Sequence, residues 1–368
     1  MLNRVIFLPA VFFLASLAPL RAAVEDSVKA LAATGREGAG NEAAAAAWKA
    51  VVSEGPRALP ALLVATGTRG VVVDNWLRLA ADAITDAALH AKQPLPLAEA
   101  EAFLKDTKNA APARQLAFDL IAKADAALAD KIEPGLVNDP VQELRRGAVA
   151  RLITAAKSKA GDDAKVAYLH VLDAVRDEDQ TNEIAGALKK LGVTVDLPKH
   201  FGFLMKWNVI APFDNTDRKG FDTVFPPERE VKPGAEYDGK TGKVKWKPIE
   251  SKDERGKFDF NKPFGSLKGV TGYAATTFHS TTERDAELRL GCKNGWKVWL
   301  NGELLFSRDE YHRGSQMDQY KMKCRLRKGA NTILVKCCQD EQTEQWTVEW
   351  EFQLRVCDST GTAILAAK

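Results

Sequence analysis

The spacing of apolar positions changes character near residue 200. Between about 25 and 195, apolar residues, mostly Ala and Leu, recur at intervals of three and four, the period of a helix with one buried stripe. This predicts helices over 41–54, 56–66, 72–89, 111–123, 139–157 and 165–176. Gly, Pro or Asp breaks the pattern at short intervals, and short connectors make successive helices antiparallel neighbours. One helix start is spelled out: Asp139 as N-cap, Pro140 at the first helical position, and Gln142 placed to reach back to the cap.

Past residue 200, alanine thins out and short alternating runs with aromatic residues take over. Strands are predicted over 206–213, 243–248, 272–280, 286–292, 296–301, 320–326, 331–338 and 345–357. In the last, Trp346, Val348, Trp350, Phe352, Leu354 and Val356 would face a core, with Thr347, Glu349, Glu351, Gln353 and Arg355 on the other side. Trp296-Lys-Val-Trp-Leu-Asn-Gly-Glu-Leu-Leu305 reads as strand, tight Asn-Gly turn and returning strand. Residues 226–268, charged and rich in Pro and Gly, read as a long surface insertion with one short strand. The predicted architecture is an N-terminal antiparallel α-helical array over 23–198, followed by a C-terminal antiparallel β-sandwich over 199–368.

The first 22 residues carry a different signal. Arg4 precedes an uncharged apolar run over 5–20, and the small residues Ala22 and Ala23 follow. That is the pattern of a secretory signal peptide, shorter than the ~20 residues that span a bilayer. It predicts an exported protein, periplasmic or extracellular, with no later membrane-spanning segment. The formal charge is +3, of which Arg4 and Arg21 supply two, so no global field draws the protein to nucleic acid. Five cysteines, Cys292, Cys324, Cys337, Cys338 and Cys357, allow at most two disulfides; without C-x-x-C spacing or partner histidines they read as small buried apolar residues rather than a zinc site.

Two pairs of short stretches carry family resemblances. Asp139-Pro-Val-Gln-Glu-Leu-Arg-Arg-Gly-Ala-Val-Ala-Arg-Leu152 resembles the second half of a HEAT-type repeat, with Ala111-Pro-Ala-Arg-Gln-Leu-Ala-Phe-Asp-Leu-Ile121 as a looser echo. Val298-Trp-Leu-Asn-Gly-Glu-Leu-Leu305, with Leu326-Arg-Lys-Gly-Ala-Asn-Thr-Ile-Leu-Val-Lys336, resembles the galactose-binding-like jelly roll. It is most similar to the sugar-binding domain of family 2 glycoside hydrolases. There the domain often accompanies a catalytic barrel, and no barrel pattern occurs in this sequence. The chain as a whole looks similar to exported bacterial proteins that join HEAT-like repeats to such a jelly roll. The resemblance implies a sugar-recognising fold without the hydrolase activity.

The chemical motifs are sparse. Gly234-Ala-Glu-Tyr-Asp-Gly-Lys-Thr241 matches a phosphate-binding loop, but a polar, Pro-ended stretch precedes it and an alternating one follows, so it reads as a surface turn and no nucleotide is expected. There is no G-x-S-x-G and no H-E-x-x-H, and His90, His170, His200, His279 and His312 are scattered. His170 reads as partly buried in its helix. Asp214, Asp217 and Asp222 read as solvated or turn-capping residues, with calcium as the alternative that Arg218 and Lys219 oppose. No other metal or cofactor is expected.

The loop 307–320 mixes planar polar groups with aromatics, as sugar recognition requires. Asp309, Tyr311, His312, Asp318 and Gln319 are its candidate ligand-binding residues, and the competing reading is a structured loop with internal hydrogen bonds. Trp299 points away from the face of Trp296, Val298 and Leu300; it is either a ligand platform or packs against the helical domain. Lys321, Lys323 and Arg325 form a basic stripe that reads as a solvated face. These features predict a non-catalytic exported protein that binds carbohydrate or cell-envelope material. The alternative is a protein–protein scaffold of the envelope. An enzyme acting on polysaccharide is the third class, and would need paired carboxylates across a cleft.

Overall fold

The helical stripe and the alternating runs fold as two different kinds of structure. The computed structural model describes residues 25–31, 33 and 39–367, so the signal peptide expected over 1–22 lies outside the described residues. The chain divides into two compact units, one through Arg151 and one from Leu152.

In the first unit, helices Asn41–Ser53, Leu59–Ala65, Val71–His90, Leu97–Lys105, Ala111–Ala124 and Ala126–Ile132 follow one another with short breaks. Val73, Leu77, Ala80, Ala81, Ile84 and Ala88 form the buried stripe of the longest, at the predicted spacing. Asp139 departs from the expected cap. The next helix begins at Gln142, and Asp139 instead accepts both guanidinium arms of Arg114, at 2.7 and 2.6 Å, and the N–H of Val141. Arg114 and Asp139 are both buried, so the carboxylate ties neighbouring helices together rather than starting one.

The second unit opens with helices Gly161–Ala174, Glu178–Lys190 and Leu197–Phe201. Strands β1 (Lys206–Asp214), β2 (Glu236–Gly239), β3 (Gly242–Lys245), β4 (Lys247–Glu250), β5 (Lys257–Asp259) and β6 (Val270–Ser280) come next. Then follow β7 (Arg284–Cys292), β8 (Gly295–Leu300), β9 (Glu303–Arg308), β10 (Tyr320–Leu326), β11 (Gly329–Gln339) and β12 (Glu351–Cys357). One sheet runs β4-β1-β6-β11-β8-β9 and the other β10-β7-β12-β5, with β2-β3 as a separate hairpin. The paired strands are antiparallel, and the inner faces meet in a core containing Trp207, Phe278, Trp296, Val335, Leu354 and Phe352. The chain is thus a helical array followed by a β-sandwich.

Asn301 and Gly302 both take left-handed φ, 53° and 84°, so the β8–β9 turn is of the mirror-image kind whose twist suits a hairpin. The phosphate-loop look-alike is the β2–β3 hairpin, and no helix follows it.

Three expectations are corrected. Residues 226–268 are not a one-strand insertion: they supply β4 to the edge of the larger sheet, β5 to the edge of the smaller, and a cover for the larger sheet's outer face. The final strand begins only at Glu351. Residues Gln345–Thr347 form a 3-10 turn, which leaves Trp346 59% exposed and Val348 exposed, while Trp350 is fully buried. His170 is exposed rather than partly buried. The five cysteines are free thiols; four are buried and Cys324 is half-buried, and Cys292 and Cys337 approach to 3.9 Å in the core.

Candidate functional site

Most of the loop between β9 and β10 turns inward. Asp318 takes a left-handed φ of 61° and sends its carboxylate to two guanidiniums on the outer face of the smaller sheet. Arg355 donates Nε and Nη2 to it at 2.6 Å each, and Arg289 donates Nη1 at 2.6 Å. Burial alone would raise the Asp318 pKa, but Arg355 and Arg289 hold it below the usual carboxylate range. Gln319 accepts from the N–H of Cys292 at 3.2 Å and donates to the carbonyl of Gly314 at 2.8 Å. Both side chains fasten the loop to the sandwich.

Tyr311 and His312 face a polar cluster at one end of the sandwich. Tyr311 lies on Gly295, where a Cβ would stand 2.9 Å from the ring, so glycine there permits the approach. Its hydroxyl accepts from Asn215 at 3.3 Å, and the Arg218 guanidinium sits 4.6 Å from the ring centroid. Burial raises the Tyr311 pKa and keeps the phenol neutral. His312 (φ 58°) pairs its Nε2 with buried Asp340 at 2.8 Å, and Arg218 donates to the other Asp340 oxygen at 2.7 Å. Burial opposes ionisation of Asp340, yet the His312 hydrogen bond and Arg218 hold its pKa below the ordinary value. Two buried polar atoms here, Asn215 Oδ1 and His312 Nδ1, have no hydrogen-bond partner in the structure.

The exposed part of this cluster is Trp346, Arg218 and Asp309. Trp346 stands edge-on to His312, with centroids 5.3 Å apart. Its backbone is held by Thr347, whose hydroxyl donates to the carbonyls of Gln342 and Glu344 and whose carbonyl accepts from Gln339 and Lys268. Arg218 is 47% exposed. Asp309 is the member of the predicted set that remains at the surface; partial burial, then Asp222, raises its pKa, while Arg218 and Lys297 pull it down. Four non-glycine residues of these two loops, Asp217, Arg218, His312 and Asp318, adopt left-handed backbone, a cost that ordered functional loops often carry.

The three calcium candidates do not converge. Asp214 meets Lys240 at 3.0 Å and accepts from Thr216; Asp217 meets Lys219 at 2.9 Å; Asp222 lies 3.8 Å from Lys297. Among the described residues no group of three or more His, Cys, Asp or Glu could hold a metal ion. On the β10 stripe, Arg325 pairs with Glu283 and Asp285 across the strand face, and Lys321 and Lys323 are exposed.

Trp299 is buried rather than an open platform. It is 8% exposed in a second apolar cluster with Tyr273 and Leu334 on the larger sheet, closed over by Val244 and Trp246 of the insertion. Beneath the same cover, Lys336 projects from the middle of β11 with no solvent exposure. Its ammonium donates to the carbonyls of Phe221 (3.0 Å) and Thr223 (2.8 Å) and to Glu228 (2.8 Å), which also accepts from the Tyr273 hydroxyl. Burial lowers the Lys336 pKa.

Trp346, Asp340, Lys336 and Glu228 escaped the sequence reading. A usable signal existed for the first: Gln342-Thr-Glu-Gln345 is a polar run that fits a turn better than a strand. No local pattern marks the other three.

Comparison with known proteins adds little. No protein-family model matches the chain, and no curated protein does. Among solved structures, an anti-sigma factor domain-containing protein aligns over 44% of this chain and 48% of its own at 13% identity and a TM-score of 0.25. A β-glucosidase from Kluyveromyces marxianus covers 42% of this chain and 16% of its own at 16% identity and TM-score 0.22. The GH31 α-xylosidase from Xanthomonas citri covers 42% and 18% at 12% identity and TM-score 0.22. This chain therefore spans about half of the first and under a fifth of each glycosidase; likeness at this level decides neither fold family nor activity. Among the described residues, no helix is long and apolar enough to cross a membrane.

Proposed function

We propose that this is a non-catalytic exported binding protein whose galactose-binding-like sandwich recognises carbohydrate of the cell envelope at the Trp346 end. The observation that carries this reading is the indole itself: a large apolar face, more than half exposed, on a turn pinned by hydrogen bonds and edge-on to His312, whose partner Asp340 also holds the exposed Arg218. A sugar offers an apolar ring face and a rim of hydroxyls, and this combination matches both. The inward residues Tyr311, His312, Asp318 and Gln319 serve the site by holding its frame, which reduces the ordering cost of binding.

A glycan array followed by calorimetry tests the proposal. Trp346→Ala is expected to weaken binding of the selected glycan at least tenfold, about 1.4 kcal/mol, and Asp309→Ala more modestly. No glycan retained, or affinity unchanged in Trp346→Ala, would sink it. A second reading, an envelope scaffold, draws on Val348, exposed two residues from Trp346. It predicts a partner protein recovered from the envelope fraction that Trp346→Ala releases.

A further inference from the structure

The larger sheet carries a concavity on its outer face, and none of the residues that line it belongs to the Trp346 cluster. The helical turn Pro226–Arg229 and the two residues after it stand beside the β8–β9 turn and β11. They enclose a cleft of about 350 Å³ lined by Glu228, Arg229, Glu230, Trp299, Arg327 and Leu334, among others. That is within the size range of small-molecule sites.

Its charges are unbalanced in a telling way. Both carboxylates are already neutralised: Glu228 by buried Lys336 at 2.8 Å, and Glu230 by Lys232 at 2.7 Å. The Arg229 and Arg327 side chains are exposed, and among the described residues neither guanidinium has a carboxylate within ion-pair distance. Two uncommitted cationic forks thus share a cleft whose base is the apolar strip of Trp299 and Leu334. The wall that bears Arg229 is fixed, because Lys336 grips the carbonyls of Phe221 and Thr223 just before it and Glu228 within it.

We propose that this cleft binds an acidic sugar, its anionic group paired with Arg229 and Arg327 and its ring resting over the small surface that the largely buried Trp299 and Leu334 leave open at the base. A guanidinium pairs through two parallel hydrogen bonds with a carboxylate or a phosphate alike, so the charge on the sugar could come from either group. A neutral sugar would leave both cations without a partner.

Calorimetry on the full chain with glucuronate, glucose 6-phosphate, glucose and inorganic phosphate tests the inference. Binding of at least one acidic sugar is expected, with glucose at least tenfold weaker and affinity falling as salt rises. The tighter of the two acidic sugars identifies the anionic group. Arg229→Ala and Arg327→Ala should each cost about tenfold, with unchanged melting midpoints because both side chains are exposed. Failure of both acidic sugars to bind, equal binding of glucose, or undiminished affinity in the double variant overturns it. Inorganic phosphate binding as tightly as the acidic sugars would overturn the role of the ring. Trp346→Ala should leave these affinities untouched, so this site and the one proposed above stand or fall separately.

Discussion

Asp318→Ala is expected to destabilise the sandwich by roughly 3–5 kcal/mol, the usual result of removing one partner from a buried ion pair. Asp318 is 17% exposed, Arg289 6% and Arg355 1%, and the one carboxylate meets both guanidiniums at 2.6 Å. Arg289 keeps Glu287 at 2.8 Å, and Arg355 keeps the carbonyls of Phe201 and Gly361, so the larger uncompensated charge falls on Arg355. Urea unfolding measures the loss; a change below about 1 kcal/mol, the worth of a surface pair, would mean that the network is dispensable. The pH dependence has a definite sign. The folded pKa of Asp318 is depressed, so its contribution is complete above the unfolded value of about 4 and disappears as pH falls through the lower folded value. Asp318→Asn should therefore flatten the acid limb of stability below about pH 4 while leaving its shape near neutrality alone.

Lys336→Met should cost a similar ~3–5 kcal/mol, for a different reason. The methionine fits the apolar surround of Phe225 and Tyr273 but leaves Glu228 without its cationic partner beneath the cover, and the carbonyls of Phe221 and Thr223 without their donor. Adding Glu228→Gln removes the stranded charge and should restore part of the stability, so the double variant is expected to be more stable than Lys336→Met alone. Additive losses would show that lysine and glutamate act independently. Loosening this latch should also release the segment 221–231, which hydrogen exchange would register as lost protection there before the sheet itself opens.

Much of the fold was legible because its signals are local. The stripe of Val71–His90, the Asn301-Gly302 turn and the alternation of β12 from Phe352 to Val356 each express a period set by backbone geometry. The candidate site was legible only in part. Asp309, Tyr311, His312, Asp318 and Gln319 do lie in one ordered loop, yet four of them are turned inward, because their partners Asn215, Arg289, Cys292, Asp340 and Arg355 come from other parts of the chain. Spacing along a loop cannot report such partners.

The two tryptophans show where the division falls. The sequence by itself determined the class of each half, a helical array and a β-sandwich, and which strand residues share a face. It also placed Trp299 opposite Trp296. Only the tertiary structure decided what covers each face. Segment 226–268 folds back over the larger sheet and buries Trp299, while the late start of β12 leaves Trp346 on a turn at the surface. Periodicity follows from the geometry of one chain segment, whereas burial depends on which other segment arrives, and that is settled by contacts between residues far apart in sequence.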